Sequence, residues 1–128
     1  MTSGVKLFRA KDQDLKPRPD GMKTVPVVNA GYSTSFGAGI GTMQHCSMPW
    51  TVTYDEVLYV MDGHCSIKVG DTRYRMGPGD MIWLPKDTPL VYEAGAEKCT
   101  FFYAVAPVGQ SPSTKKTEAF PEAKGEKA

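Results

Sequence analysis

One stretch constrains this chain more than any other. Between Tyr54 and Pro85, four short β-prone runs alternate with breaks that each contain glycine. The runs are Tyr54 to Asp62, His64 to Val69, Thr72 to Met76 and Met81 to Leu84. The breaks fall at Gly63, at Gly70-Asp71 and at Gly77-Pro78-Gly79-Asp80. Gly-Asp pairs between β-prone runs favour tight turns, so the pattern predicts successive antiparallel strands joined by hairpins. Helical spacing of apolar residues is absent, except faintly near Glu118 to Lys124. Glu56 is the one ionisable residue held at the start of an otherwise apolar run, so any chemistry is expected to begin there.

The rest of the chain has the same character. Val5 to Phe8 reads as a short edge strand, and Lys11 to Lys23, with Pro17, Pro19 and Gly21, as a surface loop. Val25 to Val28 reads as a strand that Pro26 confines to a sheet edge. Gly31 to Gly41 is a glycine-rich lead into a strand at Ile40 to Cys46, and Trp50 to Thr53 follows as another. Asp87 to Glu93 and Lys98 to Ala106 complete the set, with Ala94-Gly95-Ala96 as the expected hairpin between them. The Gly37 to Gly41 stretch is not a phosphate loop, because no Lys-Ser/Thr follows and no helical pattern opens after it.

About eight to ten short strands at this spacing indicate a sandwich or barrel. The Glu-initiated strand, the glycine turns and the Gly79-Asp80 to Pro85 segment narrow the choice to a double-stranded β-helix, or jelly roll. The expected fold class is all-β, in one domain over 1–109 with its core at 39–107. From Gln110 onward the chain is polar, and 110–128 is expected to be a mobile tail.

Charge limits the partners. Lys plus Arg is 15 and Asp plus Glu is 14. Phosphate binding needs a cationic surplus, so neither nucleic acid nor an anionic membrane is expected. Met1 to Arg9 lacks the apolar run of a secretory leader, and nothing approaches the length of a membrane span. Cys46, Cys65 and Cys99 are an odd number without CxxC spacing, so reduced, buried thiols in a cytoplasmic protein are expected.

At this point the chain resembles a cupin. That family's first motif ends in Glu, six residues and Gly, matched by Glu56 and Gly63; its second has Gly-Asp, four residues and Pro, matched by Gly79, Asp80 and Pro85. The resemblance covers roughly Gly39 to Pro107. It departs at the family's metal cage, whose histidines would fall on Pro49 and Thr51, or on Trp50 and Val52, and on Leu90. None of these supplies the imidazole that suits zinc, iron, nickel or copper. Cys46-Ser47, Trp50-Thr51, Tyr54-Asp55-Glu56-Val57, Gly77 to Asp80 and Leu84-Pro85-Lys86 resemble the ethanolamine utilisation protein Q type of cupin, which also lacks those histidines. That resemblance implies a link to bacterial ethanolamine breakdown. It also brings the acetate kinase activity attributed to that group, for which no nucleotide cradle is visible here.

The cupin register implies that Glu56 faces the barrel lumen with Leu58 and Val60. A carboxylate in an apolar cavity is a candidate general acid or base; the alternative is a structural Glu bonded to Tyr or Trp donors. Tyr54 and Tyr92 share that face and are candidate phenol donors. His45 is a candidate to orient substrate, or to share a divalent ion with Glu56, and two protein ligands would hold such an ion weakly. No other cofactor is expected. Trp50, Trp83, Phe102 and Tyr103 are the candidate aromatic lining, and Lys86 the candidate rim cation for a substrate carboxylate or phosphate. Cys46 beside His45 is not a nucleophile pair, because adjacent strand residues point to opposite faces.

The expected function is a small bacterial cupin enzyme acting on a small metabolite by acid/base chemistry of isomerase, lyase or decarboxylase type. The alternative is a non-catalytic small-molecule binding or accessory cupin of a catabolic operon. By family analogy, edge-strand exchange implies a homodimer.

Overall fold

The computed structural model describes residues 4–13, 16–17, 21–31 and 33–108. The expected tail over 110–128 lies outside them. Apart from a single 3-10 turn at Ala10–Asp12, the regular elements among the described residues are strands: β1 (Lys16–Pro17), β2 (Met22–Val28), β3 (Gly37–Met43), β4 (Cys46–Thr51), β5 (Asp55–Asp62), β6 (Cys65–Val69), β7 (Thr72–Met76), β8 (Met81–Leu84), β9 (Pro89–Ala94) and β10 (Cys99–Ala106). No helix among them is long and apolar enough to cross a membrane.

The strands form two antiparallel sheets, one of six in the order β1-β2-β3-β10-β5-β8 and one of four in the order β4-β9-β6-β7. The all-β jelly roll is therefore what the chain builds, but its connections differ from simple hairpins. β6 and β7 do pair across Gly70-Asp71. β5 pairs with β8 and β10, while β6 pairs with β7 and β9, so the turn at Gly63 carries the chain from one sheet to the other. The turn at Gly77 to Asp80 carries it back. Ala94-Gly95-Ala96 is likewise a crossing between sheets and not a hairpin. Glycine marks the reversal in each case, but it does not say which neighbour the next strand will find.

Residues 4–9 form no strand, so the expected edge strand at Val5 to Phe8 is not made. The Lys11 to Lys23 loop contributes β1, whose two residues pair with Lys23 and Thr24. In β2 the pairing with β3 slips between Val25 and Val28. Pro26 lies in that slip, where its missing N–H removes no ladder bond.

The end of the glycine-rich lead, Gly37 to Gly41, is already strand. Gly39 and Gly41 sit within β3, and β10 lays Tyr103 and Phe101 directly across from them. A Cβ on Gly39 would stand 2.6 Å from the Tyr103 hydroxyl, and one on Gly41 would run into the Phe101 ring. These glycines make room for the aromatic rings that fill the barrel. The core between the sheets holds Met43, Met48, Val52, Leu58, Val60, Ile67, Leu84, Leu90, Phe101, Tyr103 and Val105, with the three cysteines among them.

Candidate functional site

β5 alternates strictly: Glu56, Leu58 and Val60 are buried, while Asp55, Val57 and Tyr59 face outward or lie partly exposed. Period-two geometry therefore aims Glu56 into the barrel. It is 4% exposed, and it is the one acidic residue buried among those described. β9 brings Tyr92 against it from the opposite sheet, and the phenol donates a 2.8 Å hydrogen bond to Glu56 Oε1. Tyr54, just before β5, is also fully buried, and the Trp50 indole N–H donates to its hydroxyl at 3.4 Å.

Glu56 thus lies in a small cavity with Met22, Thr24, Met48, Tyr54, Tyr92, Phe101 and Tyr103. The cavity measures about 20 Å³, enough for one water and no metabolite. Thioethers from Met22 and Met48 form part of its wall. Such side chains are unbranched and change rotamer readily, so they are the parts of the lining best able to yield.

The hydrogen bond, the burial and the neighbouring carboxylate act together on Tyr92. Burial and the Glu56 charge hold its phenol well above its ordinary value of 10.0. Linkage then fixes the sign. The folded state keeps a proton that the unfolded chain releases near pH 10. The contribution of Tyr92 is complete below that pH and is lost as pH rises from there towards the folded value. Over that window stability should fall by about 1.4 kcal/mol per pH unit on account of this one group. Chemical denaturation of wild type and Tyr92→Phe from pH 9 upward checks it: the variant should lose that part of the slope.

Of the expected site residues, Glu56, Tyr54 and Tyr92 converge. Trp50 is partly buried and contacts Tyr54. His45, Trp83, Phe102 and Lys86 do not join them. β3 ends at Met43 and β4 begins at Cys46, so His45 sits on an exposed turn at φ 50°, with its backbone N–H bonded to the Gly95 carbonyl at 2.7 Å. It neither faces the lumen nor stands with Glu56 as a metal ligand. Trp83 is 58% exposed because its neighbour Leu84, opposite Glu56, takes the inward position. Phe102 points outward between the inward rings of Phe101 and Tyr103. Lys86 is exposed beyond β8, where its backbone N–H bonds Asp55 Oδ1 at 2.9 Å.

The donors present do not fit a transition-metal cage. Glu56 is the sole carboxylate in the lumen lining, no imidazole joins it, and no group of three His, Cys, Asp or Glu among the described residues is placed to hold an ion. β4 and β9 turn Met48, Trp50, Leu90 and Tyr92 towards the interior. Tyr103, an expected pocket aromatic, does line the cavity, while Met22, Thr24, Met48 and Phe101 were not foreseen. Parity alone could have found Met48, which shares a face with Trp50, and Phe101, which shares one with Tyr103 and Val105.

Comparison with known proteins places this geometry. The sequence model of the ethanolamine utilisation protein EutQ family matches residues 4–111. A curated relative, acetate kinase EutQ of Clostridioides difficile (strain 630), is 25% identical over 103 residues, or 80% of this chain; the chain spans 65% of that protein's length. Among solved structures, an ethanolamine utilization protein Q from Salmonella typhimurium superposes with a TM-score of 0.76 at 20% identity, covering 84% of this chain and 90% of that one. The polyketide cyclase RemF from Streptomyces resistomycificus gives 0.71 at 16% identity, covering 80% and 79%. At those identities the two structures speak for the fold.

Proposed function

The chain belongs to the ethanolamine utilisation protein EutQ family, and from that premise we propose that it is a small-metabolite cupin working by metal-independent proton transfer, with Glu56 as the base and Tyr92 as the group that positions and tunes it. One observation carries the reading: a buried carboxylate bonded at 2.8 Å to a buried phenol inside an apolar barrel. A carboxylate shielded from water is a stronger base towards a substrate C–H or O–H than one in solution. Tyr54 lines the same cavity and is the phenol assigned to donate to a developing oxyanion. Isomerisation and elimination need such a base and such a donor, while decarboxylation needs the donor at the developing oxyanion and an acid that returns a proton to carbon. Entry of a substrate requires Met22 and Met48 to swing aside.

The acetate kinase name belongs to the relative. Phosphoryl transfer needs a backbone cradle for the phosphates. The Gly37 to Gly41 stretch is not a phosphate loop, and its Gly39 and Gly41 are consumed in packing against Tyr103 and Phe101, which favours proton transfer over kinase chemistry.

The narrow lumen favours a second reading, in which the barrel is a non-catalytic accessory or binding protein of a catabolic operon. A turnover screen against small hydroxy and keto acids and amino alcohols, run beside melting curves with each compound and metal analysis of the purified protein, separates the two. Turnover without stoichiometric metal supports the proton-transfer reading. A melting shift with no turnover supports the binding reading.

We also propose that the protein is a homodimer. The outer face of the six-stranded sheet is apolar across its strands: Ile40, Phe102, Tyr59 and Met81 lie in one row, and Val57 and Trp83 in the next. Met81 is 63% exposed and Trp83 58%. A flat apolar face of this kind is best covered by the same face of a second copy about a two-fold axis. Size-exclusion chromatography with light scattering should give a dimer for wild type and a folded monomer for Phe102→Glu. A monomeric wild type overturns the proposal.

A further inference from the structure

The outer face of the four-stranded sheet takes no part in the site just described, and its charge balance is unlike that of the whole chain. β4, β9, β6 and β7 lie side by side, so residues in register form rows across the sheet. In one row Ser47 opposes Glu93, Glu93 opposes Ser66, and Ser66 opposes Arg75. The next outward row holds Pro49, Val91, Lys68 and Arg73. The alternate residues Met48, Tyr92 and Ile67 are buried in the barrel, so period-two geometry turns both rows away from Glu56. The rows gather the cations Lys68, Arg73 and Arg75 around a single carboxylate, Glu93.

That carboxylate is already taken. Arg73 holds it at both oxygens, donating from Nε to Oε1 at 2.6 Å and from Nη2 to Oε2 at 3.1 Å. The Arg73 bond first, with Lys68 and Arg75 adding their charge, keeps the Glu93 carboxyl below its ordinary value of 4.5, so the pair is intact at neutral pH. Arg75 is thereby left, among the described residues, with no carboxylate in ion-pairing reach. It stands with Ser66 in the wall of an open pocket of about 660 Å³, and Gly77 and Gly95 line the same pocket without a side chain to fill it. Asp80, the other acid in the wall, accepts the Gly77 N–H at 2.8 Å, and His64 is paired with Glu97 at 2.9 Å. The volume is within the range of pockets that hold small metabolites.

We propose that this pocket binds a small oxyanion metabolite, a carboxylate or a phosphate monoester, through the Arg75 guanidinium and the Ser66 hydroxyl. The guanidinium is a planar fork of donors that matches two oxygens of either group. Ser66 lies directly across the ladder from Arg75, with Cβ atoms about 5 Å apart, so its hydroxyl is placed to donate to the same anion. The Arg73–Glu93 pair walls the site and keeps the acid from competing for Arg75. Ser47, beyond Glu93, is left for a polar group on the rest of the ligand. The site lies on the opposite face of the sheet from the lumen, so it stands whether or not Glu56 is a base.

The test titrates the wild-type chain with inorganic phosphate, succinate and glycerol phosphate at constant ionic strength, followed by amide NMR shifts. At least one probe should saturate, with shifts centred on Ser66, Arg75 and Glu93 and none at Leu58 or Val60. Which probes saturate tells whether the site takes phosphate or carboxylate. Arg75→Gln should weaken that binding about tenfold or more. Arg75→Lys should fall between the two, since it keeps the charge and loses the fork. Lys68→Gln, outside the pocket wall, should weaken it only about twofold. Both side chains point outward, so neither change touches the core. Failure of every probe to saturate overturns the proposal, and so do shifts that map to the lumen. An equal loss in Lys68→Gln and Arg75→Gln also overturns it, because a diffuse cationic field would then account for the binding.

Discussion

Glu56→Gln should lower turnover on any substrate the chain converts by about 10²- to 10⁴-fold while leaving the fold in place. The amide is nearly isosteric, and its oxygen can still accept the 2.8 Å bond from Tyr92. What it loses is the ability to take a proton. KM should move little, because the site keeps its shape, so the loss should appear in kcat. Glu56→Ala makes the control for structure. It removes the hydrogen-bond partner of a buried phenol, which costs about 1–3 kcal/mol of stability on top of any activity lost. If Glu56→Gln retains wild-type turnover, the carboxylate is not the base. Tyr92→Phe should give a smaller loss and a shifted pH profile, since it positions Glu56 without being consumed.

Gly63→Ala should be among the most damaging single-methyl changes in the chain. Gly63 turns the chain from one sheet to the other at φ 78°. Its hypothetical Cβ would run into the Lys98 carbonyl and press on the Cys99 Cα at 3.0 Å. The left-handed backbone costs about 1–2 kcal/mol for a residue with a Cβ. Overpacking against backbone adds about 1–3 kcal/mol more. A total near 3 kcal/mol should lower the melting temperature by about 15 °C in a domain of this size. Gly70→Ala separates the two causes. Gly70 has φ 60° but open space around it, so it should lose only the backbone part, about 1 kcal/mol. Equal melting temperatures for the two variants would show that the packing of this turn on β10 is not as described.

Residue spacing made several features legible. The four runs around Glu56 became β5, β6, β7 and β8 at nearly the expected bounds, because a glycine turn ends a strand wherever the strand goes. Strand parity put Glu56 on one face with Tyr54, since every second residue shares a side, and the cupin register turned that face and the Tyr92 side of its strand inward. His45 was misplaced because β3 begins earlier than its glycines suggested. With that strand ending at Met43, His45 fell on a turn, and histidine is among the residues that tolerate a positive φ. Trp83 and Phe102 were chosen for being large and aromatic, but parity puts their neighbours Leu84, Phe101 and Tyr103 inside. Apolar size alone does not choose a face, and here the outward aromatics belong to the surface assigned to a second copy.

By itself, then, the order of residues determined an all-β barrel and the face that Glu56 shares with Leu58 and Val60, because hydrophobic alternation and turn chemistry act over a few neighbouring positions. Only the tertiary structure decided what meets Glu56 and how little room surrounds it. Those contacts join residues far apart in the chain across two sheets, and nothing local to either partner encodes the distance between them.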